Sequence, residues 1–352
     1  MLIRTLATGA TIAGGAALAA CTPTSGAASG GAKELPQPET TSVRIANPPT
    51  CDPGMWLASG YLREEGFTDV QFIDAPFYDR AWLTKGLADV APAHPQLLTA
   101  AIDAGLPITV LAGLHTGCFE LWVDQSIRNV GDLRGRRIAV RAADMTDEFY
   151  VFFAAILGYQ GIALRDVHFV EAGDAEDYNG MRTAYLEGRA DAFFAGGAQG
   201  PFLRRAKAPG HVVLDTMMDK PWSTYFCCHL AANRDWARQY PIATKRLTRA
   251  VLRASDAAAR DRARAVSDSV VLAASMSLAN GKPNTNFRDG PIVTETMAMC
   301  TYNWRDVEPA ETLRFFGLRL ADAKLIKSTP QQLIDRGTDF AYVRQLRTEL
   351  RP

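Results

Sequence analysis

The groups with the widest chemical scope in this chain are thiols and imidazoles. Cys51, Cys118, Cys227, Cys228 and Cys300 follow an N-terminal Cys21, and His94, His115 and His229 lie among them. Their spacing matches no established catalytic or metal-ligating pattern. The chain has no H-E-x-x-H, no G-x-S-x-G elbow, no P-loop and no G-x-G-x-x-G fingerprint. His115 and Cys118 are near neighbours, but they form a nucleophile–base pair by residue type alone. Cys227, Cys228 and His229 are consecutive. Consecutive side chains on a strand point to opposite faces, which argues against a shared zinc site. No catalytic residue, metal or cofactor is therefore expected, and the chain reads as a non-enzyme.

The polar candidates become informative once the elements that carry them are placed. Short β-like runs alternate with helical stretches. The β-like runs are 42–46, 70–73, 89–93, 108–114, 119–123, 138–140, 167–170, 190–195, 212–214 and 225–231. Between them lie helical patterns at 55–65, 80–87, 96–104, 146–157 and 178–187. Such alternation predicts parallel pairing with both sheet faces covered. From Pro241 onward the pattern is almost all helical, with breaks at 281–291 and 328–330. The order is one β/α block, a second β/α block and a helical tail. Two crossings, near 113–119 and 222–231, would let the chain enter one lobe, build the other and return. A single large doubly wound sheet is the other arrangement the pattern allows.

In open α/β sheets, ligands sit beyond the C-terminal ends of the parallel strands. That rule selects the loops 47–53, 74–78, 93–95, 113–117, 141–146, 173–175 and 195–200. Asn47, Thr50 and Asp52 offer polar groups, with Thr50 or Asp52 alternatively capping the next helix. Phe77 and Tyr78 could stack on a planar ligand or pack the core. His94 and His115 can each donate and accept. Arg141 can fork onto an anion, or pair with Asp144 or Asp147. Asp144 is a further ligand-binding candidate in that loop, and Thr146 can cap a helix or leave its N–H groups to an anion. Asp174 and Gln199 complete the polar set, and Trp222 and Tyr225 border the second crossing, as cleft wall or hinge packing.

Lys plus Arg and Asp plus Glu are balanced at 38 each, which gives no reason to expect nucleic acid as a partner. Residues 1–20 have a short basic start, an apolar Ala/Gly-rich run and small residues before Cys21, the form of a removable secretion signal. Leu18-Ala19-Ala20-Cys21 resembles the bacterial lipobox, whose cysteine becomes the lipidated first residue. Residues 21–41 are then the lipidated cysteine and a Ser/Gly/Pro-rich tether. The expectation is an exported lipoprotein held on the periplasmic or cell-surface side of a membrane.

Several stretches carry a wider resemblance. They are Asp103-Ala104-Gly105 through Gly117-Cys118-Phe119-Glu120-Leu121, the run Val130-Gly131-Asp132-Leu133-Arg134-Gly135-Arg136-Arg137-Ile138-Ala139-Val140, and Pro221-Trp222-Ser223-Thr224-Tyr225-Phe226-Cys227-Cys228. The tail adds Leu325-Ile326-Lys327-Ser328-Thr329-Pro330 and Gly337-Thr338-Asp339. Over roughly 42–352 the chain resembles the substrate-binding proteins of ABC transporters in the group that handles sulfonates, nitrate, taurine-like solutes and thiamine pyrimidine precursors. The resemblance implies a two-lobed type II periplasmic-binding-protein-like α/β fold. Each lobe would be a mostly parallel sheet flanked by helices, with a helical C-terminal tail. Lobe 1 would take 42–117 and 229–352, and lobe 2 would take 118–228 with hinge strands at both ends. It further implies a small polar solute, anionic and heteroaromatic ones included, and as partners an ABC permease and its ATPase subunits. At 195–200 the chain departs from these relatives: Gln199 stands where they tend to carry an acid. Two alternatives stay open. One is a pyrimidine-synthase-like enzyme on the same fold, and the other is a sensory lipoprotein without transport.

Overall fold

In a computed structural model, residues 36–47, 51–76, 82, 85–173, 179–275, 281 and 290–351 are described. The signal, Cys21, most of the tether, Thr50, Phe77, Tyr78 and Asp174 lie outside them, and of Asn47 only the backbone is described. Strands and helices alternate in the first two thirds of the chain. They are β1 (Ser42–Asn47), α1 (Pro53–Glu64), β2 (Asp69–Pro76), β3 (Val90–Ala93), α2 (Pro95–Asp103), β4 (Ile108–Gly117) and β5 (Phe119–Val123). Then come β6 (Arg137–Val140), α3 (Glu148–Tyr159), β7 (His168–Glu171), α4 (Asn179–Leu186), β8 (Ala192–Gly196), α5 (Gln199–Arg205), β9 (His211–Asp215) and β10 (Phe226–Asn233). The tail holds α6 (Arg234–Gln239), α7 (Pro241–Arg260), α8 (Arg262–Ser275), α9 (Gly290–Ala298), β11 (Cys300–Thr301), α10 (Pro309–Asp322), α11 (Pro330–Gly337) and α12 (Ala341–Glu349).

The strands form two sheets, not one. A six-stranded sheet has the order β11-β4-β10-β3-β1-β2, and a five-stranded sheet has the order β7-β6-β8-β5-β9. β1 pairs in parallel with β2 and β3, whereas β10 runs antiparallel between β3 and β4. In the second sheet β6 is parallel to β7 and β8, and β5 runs antiparallel between β8 and β9. Four strands of each sheet run in one direction; β10 and β11 run against them in the first sheet, and β5 does so in the second. The chain leaves the first sheet at Gly117-Cys118-Phe119 and returns between Asp215 and Phe226. Both sheets belong to one compact unit, Leu35–Pro352.

Local chemistry explains the boundaries. Asp147 accepts from the Phe149 N–H and starts α3, satisfying a donor that would otherwise be orphaned. Asn233 does the same for α6 through Asp235 and Trp236. Thr329 and Gln332 form a reciprocal capping box at α11. β4 is buried at all ten positions, as a strand covered on both faces must be. Gly113 on β4 leaves room for the Phe226 ring, since a Cβ there would lie 2.1 Å from its Cε2. Gly117, with φ +92°, turns the chain out of the sheet against the Met299 carbonyl. Two-residue β11 pairs with Gly117 and Thr116, an edge too short for periodicity to reveal.

Candidate functional site

The C-terminal ends of β1, β3 and β4 in the first sheet converge with the start of α3 from the second. His94 follows β3 as the N-cap residue of α2, is 2% exposed, and meets Glu148 through Nδ1. Glu148 opens α3 and is fully buried. Burial disfavours the imidazolium, but the charge and hydrogen bond of Glu148 outweigh it and hold the His94 pKa above its ordinary value. The Phe119 ring closes on His94 edge-on at 4.9 Å. Phe119 also meets Phe149 and Phe152 of α3 at 5.9 and 5.3 Å, so the contact zone is aromatic around one polar pair.

Beneath this pair lie the five cysteines, all buried and all as free thiols. Cys118 takes hydrogen bonds from Cys227, Cys300 and Cys51, which hold its pKa well below the ordinary thiol value. The Cys118 and Cys228 contacts of Cys51 push its own pKa well up, and burial does the same for Cys227, Cys228 and Cys300. One ring nitrogen of His115 and the sulfurs of Cys51 and Cys228 lie within 4.8 Å of one another; so do a ring nitrogen of His94 and the sulfurs of Cys227 and Cys228.

Strict alternation along β10 would put Cys227 and Cys228 on opposite faces. The structure overturns that expectation. The β10–β4 register shifts between Phe226 and Cys228 and again between Cys228 and His229. Such an irregularity re-aims side chains, and both thiols reach the same cluster. His229 does not join it: the ring lies edge-on to Phe226 at 5.4 Å, and burial pushes its pKa down to about 3.

The remaining candidates are distributed as follows. Asp52 occupies the N-cap position of α1 but makes no side-chain capping bond. It is buried beside the cysteines, and burial, with Cys118 adding to it, pushes its pKa up to about 7. His115 is fully buried, its Nδ1 3.4 Å from the Thr116 carbonyl. Arg141 is paired with Asp147 at 3.0 Å and so ties the end of β6 to the start of α3. Thr146 is exposed and bonds to Asp144, not to α3. Gln199 is buried at the start of α5 and accepts from Arg182 at 2.9 Å. Trp222 and Tyr225 pack on the return crossing, with Tyr225 stacked on Phe315 at 4.2 Å and Trp222 edge-on to it at 5.2 Å. A cavity of about 20 Å³ lies along this side, lined by Gln96, Phe119, Phe152, Trp222, Tyr225 and Cys227 among others.

Glu148 was not among the residues the sequence singled out. It is an acid in the first turn of a helix whose remaining residues are almost wholly apolar, and that isolation is the signal that could have found it.

Residues 57–265, more than half of the chain, match the NMT1/THI5-like family model, and the chain belongs to that family. Among curated proteins, none matches the sequence. Solved structures share the fold. The nitrate-binding protein NrtA of Synechocystis is 15% identical, with 90% of each chain covered and a TM-score of 0.66. The alkanesulfonate-binding protein SsuA of Xanthomonas axonopodis, solved with MOPS, is 16% identical; 86% of this chain and 99% of that one are covered, with a TM-score of 0.64. The aliphatic sulphonate-binding SsuA of Escherichia coli is 16% identical, covering 84% and 92%, with a TM-score of 0.60. The fold is thus the two-sheet α/β fold of periplasmic binding proteins.

Proposed function

We propose that this NMT1/THI5-like family member is the solute-binding component of an ABC importer, a binding protein and not an enzyme. The observation that carries the reading is the double crossing, at 117–119 and 215–226, between two separate sheets whose facing ends meet at His94 and Glu148. Two crossings allow rotation of rigid halves, and a solute held between them favours the closed state by its differential affinity. In this reading lobe 1 comprises 42–117 and 229–352, and lobe 2 comprises 118–228. Their closed surface would dock on a permease served by ATPase subunits.

The similarity to sulfonate- and nitrate-binding proteins supports a small polar solute. A lipid on Cys21 would keep the protein on the exported face of the membrane, since acylation at about 0.8 kcal/mol per buried methylene anchors stably when chains are multiple.

The test is a thermal-shift and calorimetric screen of the purified protein against sulfonates, inorganic anions and pyrimidines. A bound solute at a hundred-fold excess over Kd should raise stability by about 2.7 kcal/mol. Absence of any shift across these classes would refute the assignment of solute class.

A further inference from the structure

We propose that the thiol–imidazole cluster on the first sheet is a binding site for a thiophilic divalent cation, for which Zn²⁺ is the best match, held by Cys51, His115 and Cys228. The proposal stands apart from solute capture and does not rest on it.

The donors fit in distance. Zn–S bonds of about 2.3 Å and Zn–N bonds of about 2.0 Å place any two donors of one ion no more than about 4.6 Å apart. The three donor atoms here lie within 4.8 Å of one another before any ion draws them in. They also fit in charge. Two thiolates and a neutral imidazole cancel a divalent cation, so the loaded site carries no net charge into a fully buried position. On binding, Cys51 and Cys228 each lose a proton to solvent, and no group is oxidised or reduced.

The protonation of His115 is suited to the role. Its Nδ1 faces the Thr116 carbonyl, which accepts the ring N–H. That contact leaves Nε2 as the lone-pair nitrogen, and Nε2 is buried with no hydrogen-bond partner among the described residues. Backbone-oriented imidazoles of this kind are the usual metal ligands. A buried nitrogen without a partner is costly unless something occupies it.

The backbone around the site supports the reading. Cys228 lies directly opposite His115 in the β10–β4 register, at the irregularity that turns both Cys227 and Cys228 inward. Cys118 is one of few non-glycine residues with positive φ among the described residues, at +92°, and its sulfur lies against Cys51 and Cys227. The Tyr302 hydroxyl donates to the Cys51 carbonyl at 3.1 Å and holds that loop. All three donors come from the first sheet and the loop after β1, so the site is assembled within one half. Cys228 also belongs to the triad with His94 and Cys227, so removing it disrupts either grouping.

The experiment uses the detergent-solubilised full-length protein, reduced and stripped of metal. Titration with Co²⁺ should produce intense thiolate-to-metal charge-transfer absorption that Zn²⁺ bleaches. Elemental analysis after gel filtration should find one zinc per chain, with a raised unfolding midpoint. Cys228→Ser should lose the absorption, whereas Cys300→Ser, whose sulfur bonds to Cys118 and is not one of the three donors, should keep it. Circular dichroism establishes that each variant is folded. If Cys228→Ser does not fold, His115→Gln serves, with a weakened and shifted Co²⁺ spectrum expected. The proposal fails if the wild-type protein gives no charge-transfer band. It also fails if a folded triad variant keeps the wild-type spectrum, or if mass spectrometry of the exported protein shows these thiols joined in disulfides.

Discussion

His94 at the end of β3 and Glu148 at the start of α3 form a buried hydrogen-bonded pair that joins the two sheets across their facing ends. Neither residue lies on a crossing segment, so the pair is a contact between the halves and not part of the chain connection. Breaking a buried pair by deleting one partner leaves the other uncompensated and costs about 3–5 kcal/mol. Glu148→Ala should therefore lower stability by that order in urea unfolding. A double-mutant cycle with His94→Ala should show strong coupling, and additive losses would mean the two side chains act independently.

Gly113 on the outgoing strand lies close under the Phe226 ring of the returning strand. Adding a methyl group at Gly113 forces the ring to move, and overpacking of this kind costs about 1–3 kcal/mol. Gly113→Ala should be destabilised by that amount, with partial recovery in Gly113→Ala/Phe226→Leu. An unchanged midpoint in the single variant would show that the strands can separate freely.

Acid should weaken the fold through two aspartates. Burial opposes ionisation of Asp191 and Asp103, yet hydrogen bonds outweigh it. Arg137 supplies them to Asp191, and Ser328 and Lys327 supply them to Asp103, so both pKa values lie below the ordinary one. A carboxylate with a lowered folded pKa contributes stability that is complete above its unfolded value of about 3.9 and is lost as pH falls through the folded value. Unfolding midpoints should drop below about pH 4, and Asp191→Asn should be less stable at neutral pH with a shallower acid limb. A limb identical to wild type would remove Asp191 from the account.

Much of the β/α order was legible because periodicity and turn residues are local signals. Ser42–Ala46, Ile108–Leu114 and the break at 328–330 could be read directly, whereas most of the helical pattern at 80–87 and of the break at 281–291 lies outside the described residues. The cleft chemistry was not. That Cys227 and Cys228 face the same way depends on the register of β10 against β4, a pairing more than a hundred residues apart in sequence. Arg141 could be read as an anion fork or as half of an ion pair, and the structure places it on Asp147. Asp52 had a local reading as a cap, but its carboxylate is buried beside the thiols, a contact no local pattern encodes.

Membrane attachment should depend on one sulfur. Metabolic labelling with a radioactive fatty acid should mark the wild-type protein, and Cys21→Ser should lose the label and leave the membrane fraction. A Cys21→Ser protein that stays with the membrane would point to another means of attachment.

The most direct test of hinged solute capture is small-angle X-ray scattering of the protein with and without whichever solute raises its unfolding midpoint. Rotation about the 117–119 and 215–226 crossings predicts a smaller radius of gyration with solute bound, and a smaller decrease when Glu148→Ala weakens the contact between the halves. An identical radius of gyration with the site saturated would contradict closure of the two halves around a solute.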